Sequence, residues 1–403
     1  MRILQISAFC GQGAPGTIAL GIHGVLVSHG HQSMIAWGRS NNAPESVPTI
    51  KIGKKIDYYT HALYTRLTDK CGFGSINATR VFLKALEEFQ PDLIHLHMLH
   101  GYYINLEILF RYLKETGIPV VWTFHDCWAI TGHCPYFDMI GCEKWKTGCH
   151  HCPQRLHHPT SWLVDGSEWN WNQKRELFTS LGKQLTIVTP SAWLAEIVNE
   201  SFLKECMIQV INNGVNVQVF QPQESEIKKR LGLERKKIIL GVSSSWAPSK
   251  GLADFCALAE KLSQEYRIVL VGLSDKQMRV LPGSITGIRK TADMTELAKL
   301  YSAAYVFVNP TYEDNYPTTN LEALSCGTPV ITYRTGGSVE AVKESGAGFI
   351  VPQGDINALT EAIIELPDFD RTKPLYNCDE KQQYQEYLTL YHQIGMRKHF
   401  IGT

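Results

Sequence analysis

Two carboxylates with seven residues between them, Asp314 and Glu322, are the residues whose types and spacing most directly suggest chemistry. The apolar run at 305–308 predicts a buried strand, after which Asp314 lies on a loop and Glu322 falls in the first turn of a predicted helix. A helix start at the carboxyl end of a parallel strand offers free N–H groups to phosphates, while flanking carboxylates suit hydroxyl groups. The pattern predicts a sugar-nucleotide site whose backbone donors come from Thr318, Thr319 and Asn320.

A purely structural interpretation of the acidic residue in the helix is the alternative. An acidic residue in the first turn of a helix complements the helix dipole and often does nothing else. A lysine in the same half of the chain favours the functional interpretation. Lys250 follows the predicted strand 237–242 and comes just before a helix, where it could meet a diphosphate as a point charge.

The segment Gly11-x-Gly13-x-x-Gly16 follows the first predicted strand and resembles a dinucleotide fingerprint. The second predicted strand ends in Trp37-Gly38-Arg39, without the acidic residue that would hold a ribose. This argues against a nicotinamide cofactor, and Arg39 would suit only a phosphorylated one. The glycines predict a loop that lets a substrate approach the backbone closely.

His125 comes directly after another predicted strand, 120–124. A histidine at the carboxyl end of a parallel strand is well placed to contact a ligand, and a hydrogen-bonded structural histidine is the alternative.

Cysteine, histidine and tryptophan crowd the region that follows His125. The run Cys149-His150-His151-Cys152 has the spacing that tetrahedral zinc sites favour. Two further cysteines could complete a structural site, so the candidate ligands are Cys134, Cys142, Cys149 and Cys152. Packing of unreactive thiols, with Cys127 among them, is an equally open explanation.

Composition limits the class of protein. The 403 residues suffice for two domains, and 39 basic residues balance 39 acidic ones, so no overall field favours nucleic acid. No apolar run approaches the ~20 residues of a membrane span, and the start of the chain predicts a strand rather than a signal peptide. We expect a cytoplasmic protein, with peripheral contact to the inner membrane left open.

Strand and helix patterns alternate in both halves, which predicts an α/β protein of two doubly wound, Rossmann-like domains. The predicted organisation is a first domain at 1–215 with a Cys/Trp-rich insert at 126–175, a linker at 216–235, a second domain at 236–375 and a C-terminal helix at 376–403 that packs back on the body. Amphipathic segments are predicted at 54–70 and 78–89. Strands are predicted at 3–7, 33–37, 93–97, 120–124, 184–189, 208–211, 237–242, 267–271, 306–308 and 330–333.

The second-half motifs resemble the donor-binding signature of the retaining glycosyltransferases of family 4. That signature is an acidic residue, seven others and a glutamate, followed by Ala-x-x-x-Gly-x-Pro-Val, and this sequence matches it from Asp314 to Val330. The family usually has Glu first, and Glu313 is one residue out of register, so Asp314 takes the role with Glu313 in reserve. Lys250 resembles the lysine of the family's Lys-Gly pair, whereas Ser245 replaces the usual arginine.

The resemblance implies a GT-B fold, with two Rossmann-like domains facing one another across a cleft. It implies transfer of a sugar from a nucleoside diphosphate to an acceptor with retained anomeric configuration, without a catalytic cofactor. The first domain would bind the acceptor and the second the nucleotide sugar. His125, Lys250 and Asp314 would be catalytic. The implied donor-binding residues are Gly13, Gly16, Ile288, Arg289, Glu313, Thr318, Thr319, Asn320 and Glu322, with Arg289 a candidate for the missing second positive charge.

The insert resembles one found in a bacterial subgroup of the family that builds exopolysaccharide, the colanic-acid type. The implied partners are a nucleotide-sugar donor and a glycan or polyprenyl-linked saccharide acceptor, and no nucleic acid. Two alternatives stay open at this point: a nucleotide-sugar epimerase of the same fold, and a sugar-nucleotide-binding protein without activity.

Overall fold

The computed structural model describes residues 1–39 and 43–401, and the chain divides into two compact units. Unit 1 comprises residues 1–212 and 383–403, and unit 2 comprises residues 213–382. The segment 216–235 lies within unit 2, and most of the C-terminal segment lies within unit 1.

Seven strands lie within the described residues of unit 1. They are β1 (Arg2–Ser7), β2 (Gln32–Trp37), β3 (Thr49–Lys51), β4 (Leu93–Leu96), β5 (Val120–Thr123), β6 (Leu185–Thr189) and β7 (Met207–Val210). All pair in parallel, in the order β3-β2-β1-β4-β5-β6-β7. Along β1, Ile3 packs into one core cluster and Leu4 and Ile6 into another, so the sheet is covered on both faces.

Unit 2 contains six strands. They are β8 (Lys237–Val242), β9 (Tyr266–Val271), β10 (Ile285–Ile288), β11 (Val306–Asn309), β12 (Val330–Tyr333) and β13 (Gly348–Val351). These also pair in parallel, in the order β10-β9-β8-β11-β12-β13. The carboxyl ends of all the strands in a unit therefore meet at one edge of its sheet.

Fourteen α-helices lie within the described residues. They are α1 (Gly13–Ser28), α2 (Lys55–Thr68), α3 (Ile76–Phe89), α4 (Leu106–Thr116), α5 (Ser167–Thr179), α6 (Ala192–Asn199), α7 (Ile227–Arg230), α8 (Leu252–Lys261), α9 (Asp275–Val280), α10 (Met294–Ala303), α11 (Thr318–Ser325), α12 (Glu340–Ser345), α13 (Ile356–Ile364) and α14 (Glu380–Ile401). Between β5 and α5 the insert has only two short 3₁₀ turns, at Asp138–Ile140 and Lys144–Lys146.

Three strands escaped the sequence analysis, β3, β10 and β13, and each lies at the edge of its sheet. An edge strand has one neighbour and needs less apolar surface, so its sequence carries a weaker signal. In β13 the first residue is Gly348, whose φ of 143° and close approach to the Val330 carbonyl leave no room for a side chain.

The C-terminal helix α14 packs against unit 1 through an aromatic face. Tyr384, Tyr387 and Tyr391 are buried in one cluster with Ile18 of α1 and Ile3 of β1. The tyrosines also reach polar groups of the sheet. The Tyr391 hydroxyl lies 2.6 Å from His95 Nδ1, and Thr123 Oγ1 lies 3.2 Å from the Tyr387 hydroxyl.

Gly21 of α1 is required where α14 crosses it, because a Cβ there would lie 2.1 Å from the Tyr384 ring. We predict that Gly21→Ala lowers the free energy of unfolding of the protein by about 1–3 kcal/mol, since the buried ring must shift. Gly24→Ala, one turn away with nothing within 4 Å of its Cβ, is the matched control. It should stabilise by about 0.5–1 kcal/mol through helix propensity. Denaturant unfolding of both variants measures the difference, and equal effects would contradict the packing described.

Candidate active site

Lys250 and Asp314 form an ion pair at the carboxyl edge of the unit 2 sheet. Lys250 ends a 3₁₀ turn after β8, and its Nζ lies 2.7 Å from Asp314 Oδ2 and 3.2 Å from the Glu313 carbonyl oxygen. The turn is possible because Gly251 has φ 71° and a Cβ there would lie 2.3 Å from the Pro310 carbonyl oxygen. The structure thus brings together two of the residues predicted from sequence. Of the adjacent acidic pair, it is the Asp314 side chain that contacts the lysine.

The start of α11 follows this pair in the chain and contains the three residues whose backbone N–H groups are predicted as donors. Thr318 and Thr319 are its first two residues. Asn320 has a different role, because its N–H already bonds the Pro317 carbonyl oxygen at 3.1 Å. Its buried amide accepts from Asn309 Nδ2 at 2.9 Å and donates to the Ser338 carbonyl oxygen at 2.9 Å. Asn320 therefore fixes the helix start rather than offering its side chain to a ligand.

Glu322 lies one turn into α11 and is held by a tyrosine that the sequence analysis did not identify. The Tyr301 hydroxyl donates to Glu322 Oε2 at 2.9 Å. Burial raises the pKa of Glu322 to about 7, although the hydrogen bonds from Tyr301 and Thr318 oppose that shift. Tyr301 is on α10, and nothing in its sequence context signals a partner 21 positions away. A carboxylate with one oxygen anchored can accept further hydrogen bonds from hydroxyl groups.

Two other predicted donor-binding residues lie at the end of β10. The Ile288 carbonyl oxygen accepts from Gly272 N at 2.9 Å, which ties the β10 end to the loop after β9. Arg289 pairs with Asp275, and both side chains are exposed. The contacts of Arg289 therefore do not connect it to Lys250, and its role as the second positive charge stays a prediction.

In unit 1 the two predicted glycines differ in their structural reasons. Gly13 begins α1 with φ 63°, a conformation that side chains rarely adopt. Gly16 has an ordinary backbone, but a Cβ there would lie 3.0–3.1 Å from Phe9 atoms. Its place is thus set by close packing of α1 on the end of β1.

His125 is positioned by a buried file of polar side chains. Gln5 Nε2 donates to the Ala19 carbonyl oxygen, so Gln5 Oε1 is free to accept from His97 Nε2–H at 3.1 Å. Burial lowers the pKa of His97 well below its usual value, so His97 is neutral and its Nδ1 is an acceptor. His125 Nε2–H therefore donates a hydrogen bond to His97 Nδ1, and the two nitrogens are 3.2 Å apart. Burial also lowers the pKa of His125 to about 4, so neutral His125 presents Nδ1 as an acceptor.

Asp126 and Arg39 are two groups of unit 1 that were not predicted as site residues from the sequence. Asp126 accepts from His100 Nε2 at 2.7 Å and from Trp128 N at 2.9 Å. Burial would raise the pKa of Asp126, but His100 and the Trp128 N–H hold it below its usual value. The Asp126 carboxylate is therefore charged and fully engaged.

Arg39 lies over the rings of Tyr58 and Phe9, at 5.0 and 5.3 Å from their centroids. Within the described ranges, no carboxylate lies within ion-pair distance of it. The signal in the sequence is the position of Arg39 just after a predicted strand, and the sequence analysis relates it only to a phosphorylated nicotinamide cofactor. An arginine held by aromatic rings and lacking a carboxylate is suited to an anionic ligand.

The four candidate zinc ligands lie around a cavity of about 20 Å³. Among the residues that the structure describes, no three His, Cys, Asp or Glu side chains form a group that could hold a metal ion. The prediction of zinc at Cys134, Cys142, Cys149 and Cys152 is therefore not supported.

The contacts of these thiols show packing instead. The Cys134 thiol hydrogen-bonds Cys152 and lowers the pKa of Cys152 to about 7, while the Gly132 N–H lies 3.2 Å from Cys149 Sγ. Phe137 and Trp145 stack beside them at 4.9 Å.

Comparison with solved structures identifies the fold. Sucrose-phosphate synthase from Thermosynechococcus elongatus matches over 100% of both chains with a TM-score of 0.68 and 18% identity. Anabaena HepE, solved in complex with UDP-glucose, matches over 98% of this chain and 99% of its own, with a TM-score of 0.61 and 15% identity. The predicted fold is confirmed: the two units have the GT-B architecture of glycosyltransferases.

Family models give the narrower assignment. The model described as Glycosyltransferase Family 4 matches residues 16–219, and that described as Glycosyl transferases group 1 matches residues 236–368. The chain therefore belongs to the family 4 glycosyltransferases, and it is an enzyme of that class.

Two relatives extend the comparison. The chain is 27% identical over 372 residues to the putative colanic acid biosynthesis glycosyl transferase WcaC of Escherichia coli (strain K12), covering 86% of each chain. It is 28% identical over 223 residues to the N,N'-diacetylbacillosaminyl-diphospho-undecaprenol alpha-1,3-N-acetylgalactosaminyltransferase of Campylobacter jejuni, covering 50% of this chain and 58% of the relative. In the described part of the chain, no helix has the length and apolarity to span a bilayer.

The raised pKa of Glu322 generates a prediction for donor binding. If the carboxylate accepts hydrogen bonds from a ribose, a nucleoside-diphosphate sugar that binds this site should do so up to about tenfold more tightly at pH 8 than at pH 6, because the ionised fraction rises through pH 7. A nucleoside-diphosphate sugar suits the test because its diphosphate does not titrate in this range. Calorimetry at the two pH values measures the step. Glu322→Gln should bind weakly at both, and Glu361→Gln, an exposed control on α13, should keep the step.

The raised pKa of Glu322 also predicts that stability changes with pH, in the direction opposite to donor binding. A folded pKa raised from 4.5 to about 7 means that Glu322 costs stability as pH rises through that window. Ligand-free Glu322→Gln should therefore unfold at a higher temperature than the native protein at pH 8, with little difference near pH 4.5. A variant that lost both binding and stability at pH 8 would contradict this assignment.

Proposed function

We propose that this enzyme transfers a sugar, with retention of anomeric configuration, from a nucleoside diphosphate to a glycan or polyprenyl-linked saccharide during assembly of a bacterial surface polysaccharide. The observation that carries the proposal is the grouping of Lys250, Asp314 and the α11 start at one sheet edge. Glu322 follows one turn later. The names of the two relatives support the polysaccharide and lipid-linked parts, and the UDP-glucose complex of HepE supports the nucleotide sugar.

The chief electrostatic task in such a transfer is stabilising the departing diphosphate. Lys250 and the N–H groups of Thr318 and Thr319 supply positive potential there, from a turn and a helix that are already ordered. No nucleophilic carboxylate is required, because loss of the diphosphate leaves an oxocarbenium-like sugar that the acceptor hydroxyl attacks on the same face, and the hydroxyl proton passes to an oxygen of the departing diphosphate.

Asp314 has two tasks in this proposal. Without ligand it neutralises Lys250 at 2.7 Å. When a diphosphate displaces Asp314 as the partner of Lys250, an Asp314 oxygen becomes available to accept a hydrogen bond from a hydroxyl of the donor sugar. Glu322, anchored by Tyr301, accepts hydrogen bonds from the ribose hydroxyls, which sets the nucleotide in register with the phosphate groups.

His125 contributes a neutral acceptor. With its Nε2–H given to His97, its Nδ1 can accept from a hydroxyl of the transferred sugar. A charged imidazolium in that place would repel the positive charge that develops on the sugar ring, so the burial that lowers the pKa of His125 serves the reaction.

Lys250 provides the most direct test. Lys250→Ala should lower the transfer rate by at least ~100-fold, because the leaving diphosphate loses a fixed positive charge. Lys237→Ala is the matched control, since Lys237 also pairs with a carboxylate, Glu265 at 2.7 Å, but lies at the opposite end of β8. Turnover of donor and acceptor by both variants is the measurement, with a thermal-shift screen of sugar nucleotides choosing the donor. Near-normal turnover in a folded Lys250→Ala protein would refute the role.

The stereochemistry of the product tests the retaining mechanism. We expect the anomeric configuration of fresh product to equal that of the donor, which proton NMR of the new linkage reports directly. An inverted linkage would refute the retaining mechanism. Product formed from the donor alone would indicate an epimerase instead.

A further inference from the structure

Helix α2 exposes an apolar stripe. Ile56, Tyr59, Leu63 and Leu67 recur at intervals of three and four residues, so they lie on one side of the helix, and each is at least 39% exposed. The opposite side of the helix is buried in unit 1 through His61, Ala62 and Thr65. The stripe is therefore not the face that folds the protein.

A loop of the insert continues this stripe. Trp162, Leu163 and Val164 of this loop, together with Trp169 in the first turn of α5, are between 38% and 70% exposed. The loop is joined to the end of α2, because Trp162 N donates to the Arg66 carbonyl oxygen at 2.7 Å and Gly166 N to Asp69 Oδ2 at 2.8 Å. We call these exposed side chains the α2 patch: Ile56, Tyr59, Leu63, Leu67, Trp162, Leu163, Val164 and Trp169.

The charges around the α2 patch are mainly positive. The Arg66 guanidinium lies 5.5 Å from the Trp162 ring centroid and Lys70 Nζ 4.1 Å from that of Trp169. Three more cations stand at its margins, Lys54, Lys55 and Arg155.

The acidic groups of the same segments are mostly engaged. Asp57 caps the Lys54 N–H, Asp69 is buried against His133, and Asp165 accepts from the Cys152 N–H. Glu168 is the exposed exception.

We propose that the α2 patch docks on an anionic lipid bilayer. An amphipathic helix with aliphatic and aromatic tips and flanking lysine and arginine lies in the membrane interface, where indole rings sit at the headgroup level and cations meet anionic lipids. A contiguous apolar surface of this kind is unusual on a protein that stays in water. The cations decide against a second copy of the chain as occupant, because two such patches would bring like charges together.

The docking has a use only within the proposed function, on which this step rests. Tyr58, the neighbour of the exposed Tyr59 on α2, contacts Arg39 through its ring and hydroxyl. The helix that would lie on the bilayer thus carries one wall of the Arg39 site. Arg39 would then be placed to meet the phosphate of an acceptor that is itself anchored in the bilayer.

The test is flotation of the full chain with vesicles of phosphatidylcholine, with or without about 30% phosphatidylglycerol. The protein should float with the anionic vesicles and far less with the neutral ones. Leu63→Glu combined with Leu163→Glu should lower partitioning by at least ~10-fold, since two apolar anchors are lost and two negative charges gained. Val280→Glu combined with Ile364→Glu, at unit 2 positions 77% and 59% exposed, is the matched control and should change it less than ~2-fold.

Charge is tested separately from apolar contact. Arg66→Gln and Lys70→Gln should each lower partitioning onto the anionic vesicles about 5-fold, and raising the salt from about 0.1 M to about 0.5 M should weaken it.

Equal flotation of the patch and control variants would overturn the proposal. So would vesicle-independent dimerisation, seen by light scattering, that the patch variant abolishes. The thermal-shift response to sugar nucleotides on the same proteins reports on the proposed function alone, so its loss and the loss of flotation are distinguishable.

Discussion

Both sheets are built only from parallel strands, and this constraint governs the rest of the molecule. Parallel strands need covered faces, and among the described residues helices follow every strand except β2. The carboxyl ends then collect at one edge, which is where Lys250 and Asp314 meet in unit 2 and where α11 begins. Chain-distant residues converge there because of the topology, without any local sequence signal for their contact.

The same constraint explains the pairing of the polar side chains along the middle of the unit 1 sheet. Gln5 and His95 lie on central strands and His97 directly follows β4, where an unpaired polar group is costly. Each finds a partner: Gln5 in α1, His95 in α14 and His97 in Gln5. This row of hydrogen bonds begins at the Ala19 carbonyl oxygen, which can only accept. The direction of each hydrogen bond from there through Gln5 and His97 to His125 is therefore fixed. The packing that satisfies the core thereby also decides which nitrogen His125 presents.

Whether a feature could be predicted from the sequence depends on whether it rests on a local pattern or on a contact made only in the tertiary structure. The central strands, α2 and the order of the donor-site residues could be predicted, because periodicity and strand ends are local signals. Tyr301 could not, since its partner Glu322 is reached only through tertiary packing. The two hydrogen bonds of the Asn320 side chain could not be predicted either, because they depend on where the fold places Asn309 and Ser338. The cysteine spacing suggested zinc, whereas the contacts formed are thiol hydrogen bonds and aromatic packing.

A site proposed to bind a diphosphate and several hydroxyls needs charges of both signs, and these must be tolerable when the site is empty. Lys250 and Asp314 solve this by neutralising each other at 2.7 Å. Glu322 solves it differently, because burial raises its pKa to about 7 and the group can be neutral without a ligand. The first arrangement costs little stability and requires a ligand to displace a partner. The second keeps a carboxylate under strain near neutral pH, which is released when hydroxyl donors arrive. The two arrangements therefore make different demands on a ligand, which must displace a satisfied partner at Lys250 but stabilises the ionised form of Glu322.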